Sequence, residues 1–139
     1  MPELPFPTPG ESQTHYLIRI GKARPRFLQG AYPFIGHGIA EVEPLNDGLT
    51  YIVPKRCTAE LIYFRAGNLS DDLIYLTVMA NGKAIRYFPV GPKSDVHVPL
   101  AIVESYPEAT RFEIGLAAPN RLTGTVILDA GLIETDAGA

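Results

Sequence analysis

Residues 73–90 run LIYLTVM, then Ala80-Asn81-Gly82-Lys83, then AIRYFPV, two alternating stretches on either side of an Asn-Gly pair. Asn and Gly both tolerate positive φ, which a type I′ turn requires at its two central positions, so this segment specifies a β-hairpin. A two-residue loop pairs Ala80 with Lys83, Val78 with Ile85, Leu76 with Tyr87 and Tyr75 with Phe88. That register predicts one apolar face of Ile74, Leu76, Val78, Ile85 and Tyr87. The other face carries Leu73, Tyr75, Thr77, Met79, Arg86 and Phe88. The first face belongs to a core. The second is too polar for a closed core and too aromatic for an idle solvent face, and is expected to meet a loop, a ligand or another subunit.

The rest of the chain carries the same bias. Thirteen prolines and thirteen glycines interrupt every helical period, so helix content should be low. Residues 14–20 alternate His15, Leu17 and Arg19 with Tyr16, Ile18 and Ile20, the pattern of a half-buried strand. Residues 21–38 lose the alternation and read as a long irregular connection, a kind of segment that often carries function. Short strands are expected at 39–43 and 49–53, and a long one at 57–66. After the hairpin, 95–103 alternates around Pro99, which suggests a sheet edge or a bulge. Residues 110–117 point Phe112, Ile114 and Leu116 inward and Arg111 and Glu113 outward, and 122–134 forms the last strand. About eight strands with turn signals between them specify an all-β fold, an antiparallel β-sandwich of jelly-roll type. The expected organisation is a proline-rich arm at 1–13, a single β-sandwich domain at 14–134 and a flexible tail at 135–139. Leu4 and Phe6 are the apolar anchors of the arm, which is expected to pack on a neighbouring subunit or on its own domain.

Charge and cysteine content exclude several classes. The 12 basic and 15 acidic residues are scattered and give a net charge of −3, without the basic footprint that a nucleic-acid backbone requires. Cys57 is the only cysteine, which rules out an intrachain disulfide and a thiolate metal cluster. The opening MPELPFPTPGESQ has neither a basic nor an apolar leader region. No apolar run approaches the ~20 residues that cross a bilayer. A soluble, cytoplasmic protein with no membrane partner is therefore expected.

From residue 57 to residue 134 the order of features is similar to that of the jelly-roll, galactose-binding-like domains that include many carbohydrate-binding modules. The likeness rests on the strand CTAELIYFRAGN, the hairpin with ANG, the regular strand TRFEIGLA and the final GTVILDAGLIE, which contains Asp129. The resemblance implies a β-sandwich that binds through aromatic platforms, commonly Trp, and that in many members holds a structural calcium near the chain ends. This chain has no Trp, and Asp129 is the one acidic residue that corresponds, so the resemblance speaks for the fold and no cofactor is expected.

Candidate sites follow from the mixed face. Tyr75, Phe88 and Arg86, joined by Tyr63 and Arg65 of the preceding strand, offer aromatic rings for the C–H faces of sugars and guanidinium groups for hydroxyls or a carboxylate. The same residue types are enriched at subunit interfaces. The segment from Gly36 to Glu43 resembles part of the first cupin motif, which makes His37, Glu41 and His97 the candidate metal ligands. It lacks the usual pair of histidines one residue apart, and no metal is expected. Cys57 beside Arg56 reads as a core residue, and no nucleophile elbow or phosphate-binding loop occurs. Three functions are compatible with these features. The leading one is a non-catalytic interaction or structural subunit that homo-oligomerises. The second is a module for a carbohydrate or small organic ligand, and the third a cupin-like metalloenzyme.

Overall fold

The computed structural model describes residues 6–138. Its first element is a helix, α1 (Gln13–Arg19), where the alternation of residues 14–20 predicts a strand. The ends decide the matter. Ser12 caps the helix by accepting from the backbone N–H of His15 at 3.1 Å, and Gly21 takes the left-handed conformation, φ 79°, just beyond its last turn. Arg19 donates to Glu11 at 3.0 Å and to the carbonyl of Phe6 at 3.0 Å, which ties the preceding segment to its own helix. Of the two arm anchors, Phe6 is exposed and Leu4 lies outside the described residues.

Ten strands follow: β1 (Ala23–Ile35), β2 (Gly38–Pro44), β3 (Thr50–Ile52), β4 (Cys57–Asn68), β5 (Ile74–Ala80), β6 (Lys83–Val90), β7 (Ser94–Pro99), β8 (Ser105–Tyr106), β9 (Arg111–Ala118) and β10 (Thr123–Asp136). They form an antiparallel β-sandwich. The first sheet has the order β1-β10-β4-β7 with β8 also on β4, and the second the order β2-β9-β5-β6 with β3 also on β9. The irregular connection expected at 21–38 is largely β1, which pairs with β10 from Ala23↔Thr135 to Ile35↔Thr123. β10 itself runs on to Asp136, past the domain boundary expected at Glu134, and the N–H of Ala137 donates to the carbonyl of Arg56.

Proline sorts the strands. β1 contains Pro25 and Pro33, β2 Pro44, β6 Pro89 and β7 Pro99, and each of these strands lies at the margin of its sheet. The strands paired on both sides, β10, β4, β9 and β5, contain none. A residue without an N–H is tolerated where no neighbour needs the donor, so the expectation for Pro99 holds and extends to every longer edge.

The hairpin is as expected at its tip, with φ of 52° at Asn81 and 80° at Gly82. Three residues on, its register departs from the simple ladder. Met79 pairs with Ala84 but Val78 pairs with Arg86, which leaves Ile85 as a β-bulge and exchanges the two faces of β6 beyond it. Phe88, expected on the mixed face, is buried in the core, and Tyr87, expected inside, is 63% exposed. Phe88 stacks on Phe64 of the other sheet with ring centroids 3.9 Å apart and planes within 4°. Around this pair lie Ile74, Leu76, Val78, Phe112, Ile114, Val126 and Leu128, all almost wholly buried.

Two polar residues join the sheets at their margins. Asn68 donates to the carbonyls of Asp72, Val90 and Gly91 at 2.8, 3.1 and 3.1 Å and accepts from the N–H and hydroxyl of Ser70. Elsewhere the buried carboxylate of Glu134 on β10 accepts from Tyr51 of β3 at 2.7 Å, from Arg26 at 3.4 Å and from Arg24. Burial pushes the Glu134 pKa up, but the hydrogen bonds from Tyr51 and Arg24 and the charge of Arg26 outweigh it and hold the group below the ordinary carboxylate range. Arg24 also pairs with Asp136 and lowers its pKa.

Replacing Phe88 or Ile114 with alanine should cost roughly 2–5 kcal/mol in urea melts, whereas Tyr87→Ala should stay within about 0.5 kcal/mol. The reverse order for Phe88 and Tyr87 would place the bulge elsewhere. Because the folded-state pKa of Glu134 lies below its unfolded value, its contribution is present above about pH 4.3 and is lost as pH falls through the folded value. Glu134→Gln should therefore lose about 1.5–3 kcal/mol at pH 7 and much less near pH 2, read from urea midpoints across pH.

Candidate functional site

The residues proposed from the sequence fall on different sides of the sandwich. Tyr75 stays on the outer face of the second sheet, where its ring lies 6.0 Å from that of Tyr87. Phe88 is core. Arg86 lies beyond the bulge on the side of Val78 and reaches the rim, where it pairs with Glu104 at 3.0 Å. Tyr63 and Arg65 are on β4, in the other sheet, and do not join Tyr75. Part of the outer face around Tyr75 is covered by β2, whose pairing with β9 is interrupted between Gly38↔Ala118 and Glu43↔Leu116. The excursion brings Val42 against the bare backbone of Gly115, and Thr77 beneath it is fully buried.

The cupin-like constellation does not assemble. His37 is hydrogen-bonded through Nδ1 to Glu43 at 2.8 Å, across the base of that excursion. Glu41 is exposed on the excursion, and His97 is on β7 in the first sheet. Among the described residues no three His, Cys, Asp or Glu side chains converge as metal ligands.

What the structure builds instead is a groove of about 580 Å³ on the outer face of the first sheet, over β10, β4 and β7. Its position follows from register. Asp129, Arg65 and His97 stand in one row across the three strands, and Ile127, Gly67 and Asp95 in the next. Because side chains alternate along a strand, both rows project from the same face. The row of Gly67 leaves the floor open, since a Cβ there would meet nothing within 4 Å. Leu69 and Lys93 close one end, with the Lys93 ammonium donating to the carbonyl of Leu69 at 2.9 Å and facing Asp71 at 3.3 Å.

Tyr63 borders the other end. β4 has a bulge at Ile62, so Tyr63 pairs with Gly131 and Leu61 with Leu132. The Tyr63 ring lies over Gly131, where any Cβ would stand 2.1 Å from its Cε2. Its hydroxyl donates to Oδ1 of Asp129 at 2.9 Å, and its ring meets that of His97 edge to face at 6.2 Å. Burial, and then the neighbouring carboxylate of Asp129, raise the Tyr63 pKa and keep the phenol protonated as a donor. The groove thus presents a guanidinium, an imidazole and two carboxylates around an uncovered strand, with the Tyr63 ring beside its lining at Asp129 and His97. Asp95 escapes sequence reading, and His97 and Asp129 are read there only in connection with metals, because only the ladder brings them beside Arg65; Gly67 within a strand is the one local sign of it.

No family model matches the chain, and no curated protein does. Among solved structures it is similar to a domain of infectious bursal disease virus Gt strain, at 10% identity over 84% of this chain and 34% of the viral chain, with a TM-score of 0.48. It is also similar to the CBM36-1 domain of a multidomain xylanase from the hindgut metagenome of Trinervitermes trinervoides, at 14% identity over 84% of this chain and 100% of that domain, with a TM-score of 0.45. A family 35 carbohydrate-binding module from Clostridium thermocellum is 12% identical over 78% of this chain and 97% of that one, with a TM-score of 0.45. Two of these three are carbohydrate-binding modules, the group that the pattern of residues 57–134 resembles, and at such identities the likeness concerns the β-sandwich alone.

Proposed function

We propose that the chain is a non-catalytic binding module that takes a carbohydrate in the groove over β10, β4 and β7. The observation that carries this reading is the open floor at Gly67, flanked by Arg65, His97, Asp95 and Asp129 in register. Its volume falls within the range of small-molecule sites, and its lining matches what a hydroxyl-rich ligand needs. Carboxylates accept from sugar hydroxyls and a guanidinium donates to them.

Gly67 also supplies the test. A Cβ there meets no neighbouring atom within 4 Å and valine suits a strand, so Gly67→Val should leave the urea midpoint unchanged or slightly raised while filling the groove. Calorimetric titration with xylo-, cello- and galacturono-oligosaccharides should give binding for at least one series in the unmodified protein and none in the variant. A flat response to all three, or an unaltered response in the variant, would remove this reading.

A second reading, assembly into a homo-oligomer, is supported by the exposure of Tyr87 beside Tyr75 on the opposite outer face. Aromatic residues that no element covers favour a protein interface. Under this reading light scattering at micromolar concentration gives a mass above that of one chain, and Tyr87→Ser lowers it. A monomer mass for the unmodified protein would end it.

A further inference from the structure

We propose that the groove selects a sugar bearing a carboxylate, and that Arg65 is the group that recognises it; the inference rests on the groove being the binding site. The other strand arginines of this fold, and Arg19 of the helix, are each paired with a carboxylate. Arg19 pairs with Glu11, Arg24 and Arg26 with Glu134, Arg86 with Glu104 and Arg111 with Glu113. Among the described residues, Arg65 is the one strand arginine without an ion pair to a carboxylate, although Asp129 stands directly beside it in the ladder. Asp129 instead accepts from the Tyr63 hydroxyl through Oδ1.

This division of labour leaves an exposed guanidinium beside an imidazole, since His97 is the partner of Arg65 on its other side. A guanidinium fork matches a carboxylate in two parallel hydrogen bonds, a geometry that a hydroxyl does not fill. Asp95 then sets the orientation. It stands one row away beside Gly67, where it repels an anion and accepts from hydroxyls. A uronate residue fits both constraints, with its carboxylate at Arg65 and its ring hydroxyls over Gly67 towards Asp95. Lys93 does not compete, because its ammonium is held by the Leu69 carbonyl and Asp71.

The experiment compares one backbone in two charge states. Tetragalacturonate and its fully methyl-esterified form are titrated into the intact protein at low and high salt. The acid should bind about tenfold more tightly than the ester at low salt, and the advantage should shrink at ~0.5 M NaCl, while the ester's affinity stays constant. Arg65→Gln, with its fold checked by urea melt, should reduce the ratio to about one, a change that loss of a merely structural residue would not confine to the acid. Equal affinities for acid and ester in the unmodified protein would overturn the inference and leave the groove reading standing, provided that Gly67→Val still blocks both. Binding of neither form would overturn the inference, and would overturn the groove reading as well only if the xylo- and cello-oligosaccharides also fail to bind; binding that Gly67→Val does not disturb would overturn both.

Discussion

The face-to-face stack of Phe64 on Phe88 joins the two sheets at the centre of the core, and it exists because β6 has one extra residue. Without the bulge at Ile85, strict alternation would turn Tyr87 inward in place of Phe88. The phenol hydroxyl would then need a partner in a region where Ile74, Leu76 and Val126 offer none. One inserted residue avoids that cost and leaves the hydroxyl outside. The same device recurs on the opposite sheet, where the bulge at Ile62 keeps Leu61 and Phe64 both inward and lays Tyr63 over Gly131. Bulges therefore do two jobs, selecting the core in one sheet and setting the Tyr63 ring over Gly131 in the other.

Around this apolar centre the polar ties act as stops against sliding. Asn68 satisfies both ends of its amide, holding β4 to the two ends of the hairpin, and a carbon side chain there would take a donor from three carbonyls. Glu134 holds β10 to β3 through Tyr51, and its charge is balanced by Arg24 and Arg26 on β1. Buried ionic groups are weak contributors to net stability when compared with well-packed apolar ones, but removing one partner leaves the other costly. Their value here is geometric. They fix the relative placement of two sheets whose facing side chains are mostly interchangeable aliphatics.

Local pattern recovered the parts of the fold that are locally determined. The hairpin tip, the inward Phe112, Ile114 and Leu116, and the edge position of Pro99 are properties of a few neighbouring residues. The misread segments are those decided at a distance. β1 has no alternation worth the name, yet thirteen consecutive positions pair with β10, whose ladder imposes extended structure on prolines and glycines alike. Residues 14–20 fit two periods, and the caps at Ser12 and Gly21 settle which one forms. The faces of β6 were unreadable because a bulge has no dependable sequence mark. For the same reason Arg65 was a candidate from the sequence while the groove it lines was not legible: Asp95, His97 and Asp129 sit about thirty residues and more further along the chain and come alongside only through register.

The placement of proline has a consequence for how such a molecule meets others. Open strand edges recognise any extended backbone, indifferent to sequence, and that indifference is the root of aggregation. Here each long margin is missing hydrogen-bond donors at Pro25, Pro33, Pro44, Pro89 or Pro99, and the remaining margins are the two- and three-residue strands β8 and β3. Association through the main chain is thereby discouraged on all sides. What the sandwich leaves open is the side chains of its two outer faces, positions that can change without disturbing the ladder beneath them.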